Sequence, residues 1–450
     1  MDLGIFIPLL FGLQMIYWFI GRRSSKNVEG QEDYFLAKKS VRFFPLMMTF
    51  LATQVGGGLV LGAADEAYRY GWSVLLYPLG ASLGMICLGL GIGQKLARFK
   101  VSTVAEILEV VYRSPGLRKI ASILSVISLF MVLVAQIIAS HKFLAAIGFS
   151  NPYLFALFWG VIILYTVQGG LRAVISTDIA QAAVFSLVFL CGFGVILFKG
   201  LAPPFALSLE SFSLGSSKLT GWLLMPLLYI FIEQDMGQRC FAGNSPRTVS
   251  RAAFWSGIGI MIVCVIPVAL GVLAKTAGLA IPAGASVLMI SIAYATNPWV
   301  AALVGCAVLA AIISTASSLL NAISSNLSQD FELLRAKKSL RSIQALTLGL
   351  SIASLVVAFY FDNVVDVLIQ SYELFVSCLF VPIFIALFKK RGHFLSGLLS
   401  ILFGIAAFCL FKVFPPPLPS EIASILLSLL GYGCGEVLSR LRYREVEDAA

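Results

Sequence analysis

About a dozen apolar runs, each on the order of 20 residues, follow one another along this 450-residue chain. An α-helix of that length spans the hydrocarbon of a bilayer, since each residue rises about 1.5 Å. In lipid the backbone has no water to bond, so a spanning segment must be a helix or part of a closed barrel. Barrel strands alternate apolar with polar residues, and these runs do not. The chain therefore reads as an all-α membrane protein that crosses the bilayer many times. Composition agrees: 59% of residues are hydrophobic and only 12% are charged, against roughly 25% charged in soluble domains. Soluble enzymes, secreted disulfide scaffolds and disordered chains are excluded.

About thirteen spans are expected, near 3–20, 43–64, 71–94, 120–147, 152–168, 174–198, 221–243, 252–274, 299–328, 342–361, 364–388, 394–412 and 420–439. An odd count puts the termini on opposite sides. With the N-terminus outside, 26 of the 32 Lys and Arg fall on the inner side, among them Arg22, Arg23, Arg172, Arg335, Lys337, Lys338 and Arg440. Six fall outside: Arg69, Lys142, Lys199, Lys218, Lys275 and Lys412. Short loops rich in Lys and Arg stay inside, so the chain is expected N-out and C-in. The net charge of +10 is thus a topology signal, and no nucleic-acid partner is expected. The eight cysteines stand singly in or beside apolar spans with no C-x-x-C, which suggests neither a metal site nor a disulfide framework. His141 and His393 lie near loops. The N-terminus has no basic n-region or small-residue cleavage site and reads as the first span, not a cleaved signal.

Four places break the apolar pattern. In span 2, Gln54 and Val55 precede Gly56-Gly57-Gly58. Three glycines cost a helix roughly 3 kcal/mol relative to alanine, and freed carbonyls at that depth need a cavity or an ion; close helix packing through small residues is the alternative. In span 9, Ala311, Ser314, Thr315 and Ser318 share one helical stripe. Hydroxyls and unwound carbonyls are the oxygen ligands a hard cation takes, unless the hydroxyls merely bond back to their own helix. Asp178 lies about two turns beyond Gly170, where a carboxylate is either functional or a helix-end cap. Span 7 carries Pro226, Tyr229, Glu233, Gln234, Asp235 and Arg239. Asp235 and Arg239, four apart, suit a local latch, leaving Tyr229, Glu233 and Gln234 for a pocket.

Spans 2–6 (43–198) and 7–11 (221–388) form two blocks of five, and an odd number inverts the second block. Each block opens with an interrupted helix, which points to a secondary transporter with a midplane site. Residues 1–20 would add a first helix, and 394–439 two C-terminal flanking helices.

The residues also resemble a family. Gly169–Gln181 matches the pattern G-G-L-x-A-V-x-x-T-D-x-x-Q of the sodium:solute symporter (SSS) family, and Ser314–Asn321, Tyr34–Ala37 and Gln238-Arg239 add support. The resemblance covers about 30–400. It implies the leucine-transporter fold, a 5+5 inverted repeat with flanking helices. It implies a sodium site from the carbonyls of Ala52, Val55 and Ala311 and the hydroxyls of Ser314 and Thr315. A second sodium would use Asp178, Ser317 and Ser318 with Ser314. Tyr229 matches an inner-gate aromatic. Ala52–Gly62 and Gln234–Arg251 look most like the high-affinity choline transporter branch, yet Gln54, Met131 and Glu233 stand where that branch has tryptophan, which disfavours choline. Gln54, Gln136, Tyr229, Glu233 and Tyr372 are the pocket candidates.

The expected function is sodium-coupled import of a small polar solute by alternating access. An amino acid such as proline, a small carboxylate such as pantothenate, or a cationic metabolite facing Glu233 would fit. No enzyme activity and no cofactor are expected beyond sodium as coupling ion. The partners are sodium, the solute and the bilayer of a plasma membrane, or of the inner membrane in a Gram-negative bacterium. A proton-coupled symporter and a transport-inactive membrane sensor are the alternatives. The sensor reading is weakened because such chains usually carry a cytoplasmic signalling domain, whereas this sequence ends about ten residues after span 13.

Overall fold

A computed structural model describes residues 2–26, 28, 30–148, 151–201, 203, 216–282, 284–331, 340–358, 360 and 364–448. The expected inner-loop cations Arg335, Lys337 and Lys338 lie outside these. Among the described residues the helices are α1 (Leu3–Ser25), α2 (Gly30–Leu36), α3 (Phe43–Gln54), α4 (Ala63–Tyr70), α5 (Leu76–Cys87), α6 (Gly93–Arg98), α7 (Val104–Tyr112), α8 (Pro115–Ala146), α9 (Pro152–Phe198) and α10 (Ser216–Tyr229). They continue with α11 (Gln234–Ala242), α12 (Pro246–Thr276), α13 (Val287–Ala295), α14 (Pro298–Asp330), α15 (Leu340–Ala358), α16 (Val364–Phe375), α17 (Val381–Ala386), α18 (Phe394–Val413) and α19 (Ser420–Asp448). No β-strand forms among the described residues. One isolated bridge pairs Val41 with Gly243. Val41 N–H donates to Ala242 O at 3.1 Å, and Asn244 N–H to Val41 O at 3.0 Å. The bridge ties the start of α3 to the end of α11.

The long central helices begin where the sequence supplies both a cap and a stiff first residue. Ser114, Ser245 and Asn297 accept from the backbone N–H of Leu117, Thr248 and Val300. Pro115, Pro246 and Pro298 follow directly, at the position where proline's missing N–H leaves no bond unmade. These three helices, α8, α12 and α14, form the centre. α14 is almost wholly buried and packs on α8 and α9, while α12 packs on α3, α4 and α5. α1, α18 and α19 are peripheral, and α18 and α19 pack on each other. Their outward Phe19, Leu402 and Leu430 are exposed, as lipid-facing side chains should be.

Among the described residues, ten helices are long and apolar enough to cross a membrane. The difference from thirteen has a physical source. Gly58–Arg98 (41 residues) and Phe155–Phe198 (44 residues) are continuous runs, each about twice the length one crossing needs. The interrupted segments, α3 and the α10–α11 pair, are too short to count singly. α9 turns at Gly170, which has φ 53° and ψ −149°, close to a region essentially reserved for glycine. A Cβ there would also strike the Tyr34 carbonyl oxygen. α2 packs into this elbow: the Tyr34 hydroxyl donates to Val167 O at 2.9 Å, and Arg172 pairs with the buried Asp33.

Candidate functional site

α3 ends because two amides leave the helical ladder. Gly56 N–H turns back to Gln54 O at 3.0 Å, and Gly57 N–H donates to the Gln136 side-chain oxygen at 2.7 Å. In an unbroken helix those amides would serve the carbonyls of Ala52 and Thr53. The freed carbonyls face α14. Ser314 Oγ donates to Ala52 O at 2.8 Å; Thr315 Oγ1 lies 2.9 Å from Thr53 O and 3.4 Å from Ala52 O. Both hydroxyls also reach Ala311 O, at 2.8 and 3.3 Å. The approach needs glycine: a Cβ on Gly56 would stand 2.6 Å from Thr315 Oγ1 and 2.8 Å from Gln136 Oε1. Ala52, Ala311, Ser314 and Thr315 therefore meet at one point. Val55 lies at the break itself, buried, with φ −81° and ψ 82°. Each hydroxyl here has its proton on a carbonyl and lone pairs left over, which is a donor set a hard cation accepts.

A second polar cluster lies beside the first. Thr49 Oγ1 donates to Asp178 Oδ2 at 2.5 Å. The Arg239 guanidinium, wholly buried, reaches Asp178 Oδ2 at 3.1 Å, Ser318 Oγ at 2.5 Å and Thr49 Oγ1 at 2.9 Å. Ser318 Oγ also lies 3.0 Å from Thr53 Oγ1 and 2.9 Å from Ser314 O, and Ser317 Oγ donates to Ser314 O at 3.1 Å. Asp178 Oδ1 is buried without a hydrogen bond. This replaces the expected Asp235–Arg239 latch. Arg239 meets Asp235 only through its backbone oxygen, at 3.0 Å, and neutralises a carboxylate 61 residues earlier. A buried charge in a bilayer takes a partner from a neighbouring helix, and here that partner comes from α9, brought in by the packing of α9 on α3.

The two breaks meet across a narrow cavity. Gln54 Nε2, at the end of α3, donates to Glu233 Oε2, at the start of α11, at 3.1 Å. The cavity is lined by Gln54, Gln136, Glu233 and Tyr372, and also by Tyr77 and Thr315. Its free space is about 30 Å³, room for about two water molecules. Tyr229 stands behind, its ring 4.4 Å from that of Tyr372 and its hydroxyl 3.2 Å from Ser128 Oγ. Gln234 is elsewhere: its side-chain oxygen accepts from Val104 N–H at 2.7 Å and so caps α7. Val132 lines the cavity, and Met131 does not. Sequence reasoning missed Arg239 as the partner of Asp178, and Thr49, Thr53 and Tyr77 as neighbours. Only Tyr77, a polar-tipped aromatic in an apolar span, left any local signal.

Paired broken helices around a central site are the arrangement expected of a secondary transporter. The chain belongs to the sodium:solute symporter family, whose model matches residues 34–404. It is similar to the sodium/pantothenate symporters of Haemophilus influenzae (28% identical over 193 residues; 41% of this chain, 40% of that one) and Escherichia coli (29% over 205; 44% and 41%). It is also similar to a putative sodium-dependent multivitamin transporter of Drosophila melanogaster (27% over 272; 56% and 44%). The chain thus spans about two fifths of the length of these relatives. Among solved structures it resembles a Na⁺-coupled sialic acid symporter in a substrate-bound outward-open state, with TM-score 0.77 and 19% identity over 96% of this chain and 98% of that one. A nucleobase-cation-symport-1 family transporter in a closed conformation gives TM-score 0.59 and 14% identity over 91% and 95%. The fold is the all-α leucine-transporter type. The protein is an integral, multi-pass membrane protein, grouped with transporters and not with enzymes.

Proposed function

We propose that this protein is a secondary active symporter that couples sodium entry to import of a small polar solute across the plasma membrane, with the N-terminus outside. One observation carries the reading: the hydroxyls of Ser314 and Thr315 on α14 bond the carbonyls freed where α3 breaks. Sodium would sit among Ala52, Val55, Ala311, Ser314 and Thr315 and hold α3 against α14. Thr315 also lines the cavity, so an ion there organises the solute's wall. Moving α14 away from α3 would dismantle the ion site and open the cavity together. Residues 43–198 and 221–388 serve as the two inverted halves.

The solute would lie against Gln54, Gln136, Glu233 and Tyr372, with Tyr229 behind Tyr372. Among the described residues, Glu233 is the one carboxylate on the cavity wall, which favours a solute that presents hydroxyl, amide or ammonium donors. The pantothenate named for two relatives carries hydroxyls and an amide; an amino acid such as proline carries an ammonium. A second sodium at Asp178, Ser317 and Ser318 requires the Arg239 guanidinium to leave Ser318. The test is a thermal-shift screen of purified protein with pantothenate, other vitamins, amino acids and sugars, with and without sodium. A solute that stabilises only when sodium is present names both ligands by linkage. Uptake into proteoliposomes that ignores an imposed sodium gradient, for every solute accumulated, overturns the proposal. Uptake that follows pH instead, and loses that dependence with Asp178→Asn, selects proton coupling.

A further inference from the structure

Two clefts open on the face that carries most of the Lys and Arg, where α1 meets the foot of α3 and the second half of α9. The larger, about 570 Å³, is lined by Arg23, Arg42 and Arg172 and by Ser24, Ser40 and Ser176; Pro45, Ile175 and Ile179 supply an apolar wall. The other, about 470 Å³, shares Arg23 and runs over Trp18 and Phe19 of α1, with Arg22 and Lys26 at its edge. The Arg22 guanidinium lies 5.0 Å from the centre of the Trp18 ring. Tryptophan and basic residues gather in this way at the level of lipid headgroups.

Part of the charge in this place is unspent. Arg172 is bound to Asp33. Arg23 and Arg42 are exposed, and neither pairs with a carboxylate among the described residues. Ser24 Oγ donates to Ser176 Oγ at 2.8 Å, which closes the seam between α1 and α9. Phe19 is 61% exposed next to these cations. A soluble anion would leave that ring uncovered. A molecule with a phosphate at one end and hydrocarbon at the other covers both.

We propose that the double cleft binds one anionic phospholipid. Its phosphate lies among Arg23, Arg42 and the serine hydroxyls, and its acyl chains run along Trp18 and Phe19. Because Arg42 directly precedes α3, the lipid would tie the peripheral α1 to the helix whose far end provides the Ala52 and Thr53 carbonyls. The site is independent of which solute is carried.

The test uses the purified chain in detergent, with native mass spectrometry to count retained lipid and thermal midpoints read in parallel. Wild type should retain one phosphatidylglycerol in preference to phosphatidylcholine and melt higher when it is added. Arg23→Gln with Arg42→Gln should weaken retention about thirtyfold, about fivefold for each basic residue, while melting like wild type without lipid. If that pair melts far lower, Arg23→Lys with Arg42→Lys keeps the question answerable, since it should hold the lipid. Equal retention by wild type and the glutamine pair overturns the proposal, as does equal retention of phosphatidylcholine. A thermal shift of the same size from millimolar glycerol phosphate or inorganic phosphate overturns it too, by making this a soluble-anion site.

Discussion

Thr315 carries a hydroxyl and a methyl on one carbon, and its hydroxyl is what reaches the broken end of α3. Thr315→Val keeps the shape and deletes the oxygen. A hydrogen-bond-type contact to a charge is worth about 1.5–3 kcal/mol, so the half-saturating sodium concentration should rise about tenfold or more, read from sodium-dependent uptake. Thr315→Ser should stay within about threefold. Arg239 shows the opposite case, a charge whose role is to be matched. With both partners wholly buried, Arg239→Met leaves Asp178 unpaired and should cost about 3–5 kcal/mol. Adding Asp178→Asn should restore more than half of the lost thermal stability; no restoration would mean that the two do not act as a pair. These residues also mark where the sequence could and could not be read. Gln54, Gln136, Glu233 and Tyr372 stand out because a polar side chain in an apolar span has few harmless explanations, and all four line the cavity. The partner of Arg239 was not legible. Asp235 offered itself at helical spacing, whereas Asp178 comes close only through the packing of α9 on α3.

At the level of elements, the breaks were more legible than the pieces. Glycines at 56–58, Gly170 and Pro226 all fall at or beside interruptions of helices, since a residue that weakens a helix announces itself locally. How many crossings result was harder to read, because a run such as Phe155–Phe198 remains continuous through its elbow. Gly170→Ala should test that elbow. The strained backbone alone costs on the order of 1–3 kcal/mol, and the added methyl meets Tyr34. The variant should therefore melt lower than wild type. A variant as stable as wild type would show that α9 bends for some other reason.

Across the whole molecule, a polar cluster ties α7, α8 and α14 together. Arg118 of α8 bonds Asp330 of α14 at 2.8 Å and Glu109 of α7 at 2.8 Å, and the Thr103 hydroxyl donates to Asp330 at 2.6 Å. Three helices are thereby pinned at one buried point. Asp330→Asn should loosen it. In a cysteine-free background with Ser325→Cys on α14, a water-soluble thiol reagent should label the variant about threefold faster or more, a loss of roughly 0.7 kcal/mol or more from the closed state. Unchanged labelling would place the barrier elsewhere. The cluster was not legible in the sequence, where Asp330 stands more than 200 residues from both Thr103 and Arg118.

The bridge at Val41 and Gly243 has a further consequence. It is built from main-chain atoms only, so alanine scanning along either strand of it would leave it intact and register nothing. Mechanically, however, it rivets the two interrupted helices into one part. A change that deletes an amide, such as Val41→Pro, would remove one of the bridge's two hydrogen bonds and loosen α3 from α11.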